Sequence, residues 1–206
     1  MSMIRPDSLP IRFLTKICDL IFLNLFFLLS CATVIFSGAG LTALYTVTLK
    51  MVRGKEYAPL KGFLQAARDN FIPSAPATLL LFLDGGLTAY LRYVLYADTL
   101  LIPPELFVLL TIAAILLTAV LGWLFPLLAG FDNTFPRHLV NATKLALANL
   151  PVTCLMTLVN LLPLLLALMF PALLGQFAAF WLLIGLAAGA FVNSFYLSRI
   201  LDTKGN

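Results

Sequence analysis

Residues 37–53 read SGAGLTALYTVTLKMVR, and whether this stretch crosses a membrane decides which side every later loop faces. Thr42 to Val52 alone makes about 16 Å of helix, too short to cross, whereas a start at Ser37 gives about 25 Å at a rise of 1.5 Å per residue. Ser37, Gly38 and Gly40 read as a bend at one end, and Lys50 and Arg53 supply positive charge at the other. Composition leaves a short span and a re-entrant hairpin both open.

The surroundings of the stretch set the class. Of 206 residues, 62% are hydrophobic and only 11% charged, where soluble chains run about 45–50% apolar and about 25% charged. About 20 apolar residues span a bilayer core, and such runs recur along the chain. The expectation is an all-α polytopic bundle forming one membrane domain over 1–206. Its spans fall at about 14–36, 37–53, 72–96, 105–129, 150–170 and 174–196.

Arg5, Arg12 and Lys16 followed by Ile17–Leu29 resemble the charged and apolar regions of a signal peptide. Asp19 and Asn24 interrupt that apolar run, and more membrane follows it, so it reads as an uncleaved span. Residues 54–71 read as a loop and a surface helix. Leu60, Phe63, Leu64, Ala67 and Phe71 share one side, with Lys61, Gln65, Arg68 and Asp69 on the other, as in a helix lying in the membrane interface. In 131–149, Arg137, Asn141 and Lys144 share one face of a second such helix, with Leu139, Ala142, Ala146 and Leu150 roughly opposite. Both segments close on Asn, one or two apolar residues and Pro (Asn70–Pro73 and Asn149–Pro151), a weak sign of two copies of a span–surface helix–span unit.

Charge then judges the opening stretch. If it crosses, six spans place both termini inside, with twelve Lys and Arg inside against Arg92 outside. If it does not, five spans split the same residues nine to four at best. Cytoplasmic loops carry the excess of Lys and Arg, so the stretch crosses. The net charge of +4 is thus a topology signal; no basic stripe with interleaved aromatics speaks for nucleic acid.

Asp84 is the sharpest chemical feature, about 18 Å into its span. A carboxylate there costs at least about 2.5–3.5 kcal/mol on insertion scales. It serves either as a cation, proton or polar-solute site with Asn24 and Asn160, or as a structural polar knot with those residues, Tyr90 or backbone near Gly85. Asn24 and Asn160 read more readily as interhelical glue. Asp19 and Asn193 fall near the inner ends of their spans, where water access makes them cheap. His138, the sole histidine, reads as a solvated surface residue, and Cys18, Cys31 and Cys154 as small buried hydrophobes. Gly185 and Gly189 form a small-residue pair for close helix contact. No metal-ligand set, P-loop, GxSxG or HExxH occurs, so neither cofactor nor catalytic residue is expected and the chain does not read as an enzyme.

Gly38 to Tyr45, Lys50 to Gly54, Phe63, Asn70-Phe71, Phe125 to Ala129, Asn141-Ala142, Leu145 to Pro151 and Phe191 to Phe195 together resemble the YesL family of small bacterial membrane proteins. The chain departs from that pattern at Ala39, where proline is common. The resemblance implies a bacterial plasma-membrane protein associated with carbohydrate utilisation, an accessory to a sugar-uptake transporter. Lys50, Arg53, Lys61, Arg68, Arg137 and Lys144 then form the expected cytoplasmic contact surface for partners or anionic lipid. The competing expectation is a small-solute permease built around Asp84.

Overall fold

In a computed structural model, residues 9–96 and 102–204 are described; the charged segment before residue 9 and most of the connection expected at 97–104 lie outside them. The described residues are mostly helical, with no strand among them. In order they form α1 (Leu9–Ala32), α2 (Ser37–Val52), α3 (Pro59–Asp69), α4 (Phe71–Tyr96), α5 (Pro104–Gly130), α6 (Phe135–Ala148), α7 (Leu150–Met169), α8 (Leu174–Phe180) and α9 (Leu186–Lys204). A π-helical segment, Trp181–Gly185, joins α8 to α9 into one apolar rod. Six segments are long and apolar enough to cross a membrane, and α2 belongs to one of them, Val34–Val52.

The short span is the centre of the bundle. In α2's span 67% of the most apolar window is buried, against 17–22% in the other five. α1, α3, α4, α5 and α9 all pack on it, so its side chains meet protein where those of the other spans meet lipid. That explains its modest apolarity: Thr42, Thr46 and Thr48 satisfy their hydroxyls on backbone carbonyls of Gly38, Thr42 and Leu44 at 2.9 Å.

Its glycines do not bend it. The turn falls earlier, at Thr33 and the 3-10 segment Val34–Phe36, and Gly38 and Gly40 lie within the helix. A Cβ on Gly38 would fall on Thr78 Oγ1 of α4, and one on Gly40 would fall on Ser30 Oγ of α1. Small residues at such points let helix backbones approach closely where lipid offers no hydrophobic drive. At the other end α2 stops on Gly54 at φ +63°. Lys55 N–H donates to Lys50 O at 3.0 Å and Gly54 N–H to Met51 O at 3.4 Å, the paired bonds of a glycine-closed helix end.

The first span ends at Ala32 rather than 36, and the last continues helical well past 196. α3 and α6 are the two amphipathic helices, and their junctions with the next spans share one construction. Asn70 Nδ2 donates to Ala66 O at 2.9 Å and Asn149 Nδ2 to Leu145 O at 3.0 Å. The carbonyls of Asn70 and Asn149 in turn accept from Ser74 and Thr153 N–H. α3 buries Phe63 and Ala66, while Leu60 and Leu64 are exposed; an interfacial helix needs an apolar flank for lipid beside the one for protein. The cysteines differ from expectation: Cys18 and Cys154 are exposed and Cys31 only half-buried, because a lipid-facing position is as apolar as a core.

Gly38→Ala or Gly40→Ala should lower stability in detergent by about 1–3 kcal/mol, the usual cost of overpacking. Gly86→Ala, where nothing lies within 4 Å, should leave it unchanged or raise it. Denaturation curves of the three variants check this ordering.

Candidate functional site

The three intramembrane candidates are not joined to one another by any hydrogen bond; each sits in its own junction. Asp84, on α4, is 8% exposed and accepts a hydrogen bond from Thr118 Oγ1 of α5 at 2.8 Å. Its other oxygen, Oδ1, is buried with no partner among the described residues. Tyr90, a candidate partner from sequence, is 41% exposed instead.

Asn24 has a structural task. Its Nδ2 donates to Trp181 O at 3.1 Å and Leu182 O at 2.7 Å, and its Oδ1 accepts from Ala187 N–H at 2.9 Å. A π turn breaks the regular i→i−4 ladder, and this amide supplies bonds to the backbone groups on both sides of the break. Gly185 belongs to the same construction, since a Cβ there would enter the Trp181 ring, while Gly189 faces Val159 of α7 at ordinary contact distance. The two glycines therefore do different work.

Asn160 belongs to a third junction. Asn193 Nδ2 donates to Asn160 Oδ1 at 2.9 Å and to Tyr45 Oη at 3.2 Å. Beside it, Thr48 Oγ1 and Ser194 Oγ lie 2.8 Å apart. Asn193 is fully buried and so is not a water-exposed end residue; it ties α9 to α2 and α7. Asn193 Oδ1 has no partner among the described residues, whereas Asn160 itself is exposed. Tyr45, Thr48, Thr118 and Ser194 were not singled out from sequence. Tyr45 and Thr48 lie three apart on the face of α2 turned to α9, a spacing visible in the sequence once α2 is known to be enclosed.

The polar end of the bundle is the second locus. Asp69, Asn70 and Pro73 line the same cavity as Gly130, Asp132 and His138, so the α3–α4 and α5–α6 junctions meet. Leu201, near the end of α9, lines a neighbouring cavity with Asn141 and Lys144. Lys50, Arg53, Lys61, Arg68, Arg137 and Lys144 all belong to the segments gathered at this end. Tyr57 Oη donates to Asp19 Oδ2 at 2.8 Å, tying the loop before α3 to α1. Burial, reinforced by that hydrogen bond and the Asp19 charge, pushes the Tyr57 phenol up to about 12.

His138 is not a solvated surface residue. It is 2% exposed, on the face of α6 that also buries Ala142, Leu145 and Ala146. The four-residue step to Ala142 carries that signal in the sequence. Burial lowers its pKa below the ordinary range, against a smaller upward pull from Asp132. The unfolded chain therefore binds a proton that the folded one refuses. Stability from this group is intact above about pH 6.5 and falls as pH drops below it. Between about pH 6.5 and 5, His138→Asn should flatten the loss of melting temperature seen in the parent; equal slopes in both would contradict the assignment.

Residues 20–91, roughly a third of the chain, match the model of a family described as a protein of unknown function, DUF624. The matched region runs from the middle of α1 through α2 and α3 to Leu91 of α4. Neither the curated proteins nor the solved structures offer a match. The chain is thus a multi-pass membrane protein similar, over its first helices, to an uncharacterised family.

Proposed function

We propose that this chain is a YesL-like, non-enzymatic accessory protein of the bacterial plasma membrane, with both termini cytoplasmic, that works beside a sugar-uptake transporter. The observation that carries the reading is the gathering of cationic segments at one end of the bundle. Lys50, Arg53, Lys61, Arg68, Arg137 and Lys144 belong to that end, whereas Arg92 is on the opposite one, near the close of α4. Cationic segments of this kind face the cytoplasm and attract acidic protein surfaces or anionic lipid. The enclosed α2 fits a scaffold: Thr42, Thr46 and Thr48 bond to its own backbone, and Tyr45 and Thr48 pair with α9. The sugar-uptake association rests on the sequence resemblance and is associational.

A small-solute permease is the second reading, favoured by one observation: Asp84 Oδ1 is buried and unpartnered. An intramembrane carboxylate is a default functional candidate. Affinity purification from a bacterial host, with membranes crosslinked first, separates the two. The accessory reading expects a sugar-uptake transporter among the recovered proteins. Charge reversal at Lys61, Arg68, Arg137 and Lys144 should cut its recovery by several-fold while leaving expression unchanged. Solute uptake by liposomes holding this protein alone, abolished by Asp84→Asn, would replace the accessory reading with the permease.

A further inference from the structure

α6 packs on α5 with His138 turned inward, and Leu201 of α9 lines the cavity beside it. Neither ring nitrogen of His138 has a hydrogen-bond partner among the described residues, yet neither is sealed off from the cavities that the ring lines. Native proteins rarely leave a buried polar group unsatisfied, and one so placed calls for a water, an ion or a ligand. The cavity between α5, α6 and α9 holds about 290 Å³. Its floor is His138 with Leu127 and Leu201, all buried. Its mouth is Asn133, Asn141 and Lys144, all exposed.

We propose that this cavity binds a phosphate group, with Lys144 as its charge partner and Asn133, Asn141 and His138 as hydrogen-bond donors. Lysine binds phosphate as a point charge, and the two amides and the imidazole each offer an N–H. A tetrahedral phosphate presents enough acceptor oxygens to use donors converging from several directions, where a planar carboxylate leaves some idle. The leucine floor suits the carbon skeleton of a phosphate ester. Asp69 and Asp132 face the other cavity beside His138, of about 460 Å³, and do not line this one. A metal-ion reading has no support among the described residues, where no cluster of His, Cys, Asp and Glu forms. Basic pockets between transmembrane helices hold phospholipid head groups, and a soluble phosphate ester reaching the same end of the bundle would present the same chemistry. The site does not depend on the sugar-uptake role; it needs only the cavity and its four polar side chains.

His138 is the sole histidine of the chain, so its imidazole gives a single set of magnetic-resonance signals that reports the floor of the cavity. The purified full chain, histidine-labelled, is titrated in neutral detergent with inorganic phosphate and with a sugar monophosphate. In parallel it is placed in nanodiscs of phosphatidylcholine with rising phosphatidylglycerol. A saturable shift in the detergent arm alone identifies a soluble phosphate, and one in the nanodisc arm alone identifies a lipid head group; either supports the site. Lys144→Gln should weaken the apparent affinity by about tenfold, as loss of a charge-assisted contact does. Arg137→Gln, exposed on the same helix and outside the cavity, should leave it unchanged. The proposal is overturned if no arm saturates, or if the two variants weaken binding equally, which would mean diffuse surface charge. Lys144 and Arg137 are exposed, so both variants are expected to fold, and a melting curve for each verifies that.

Discussion

The bundle depends on the close approach of α2 to α1 and α4. Gly38 and Gly40 bring the backbone of α2 against Thr78 and Ser30, nearer than any side chain would allow. Helices in lipid gain nothing from burying apolar surface against one another, since lipid tails are equally apolar. Their association must come from packing and from hydrogen bonds that lipid cannot offer. α2 uses both: glycines at its start, then Tyr45 and Thr48 bonded across to α9. The remaining spans arrange themselves around it and keep their large apolar side chains for the bilayer.

That arrangement also distributes the intramembrane polar groups. An amide or carboxylate inside a membrane must find a partner or face water. Asn24 finds one in the backbone of the π turn, Asn160 in Asn193, and Asp84 in Thr118. Each junction ties a different pair of helices, so the polar residues act mainly as separate fastenings. Asp84 retains one unbonded oxygen, as Asn193 does, but it is the one carboxyl in these three junctions. The concentration of charged residues at the α3–α6 end, together with the buried imidazole beneath it, makes that end the richer surface for recognition.

Much of this was legible in the sequence, for physical reasons. Apolar runs and the one-sided distribution of Lys and Arg give six spans, since both follow from the solvent on each side of the chain. The asparagine–proline closures of α3 and α6 are local rules, and both junctions have the same bonds. What depended on tertiary neighbours was not legible. Gly38 and Gly40 read as a bend because a glycine that opens a turn and one that admits a neighbouring helix look alike in one dimension. Cys18 and Cys154 read as core because lipid-facing and buried positions share a composition. His138 read as surface because its helix is polar overall, although its step to Ala142 placed it on the inward face. Asn24, Asp84 and Asn160 share comparable depth, and depth alone says nothing about which helix each side chain faces.

α2, the shortest of the spans and no more apolar than any other, is the enclosed core of the bundle. Hydrogen–deuterium exchange of the full chain in nanodiscs tests this most directly, because exchange rates follow local opening and backbone enclosure. Amides of residues 39–51 should be among the last to exchange, slower than those of α3 and no faster than those of α5. Exchange of α2 as rapid as that of α3 would mean that the stretch dips into the interface without crossing and is not the enclosed core.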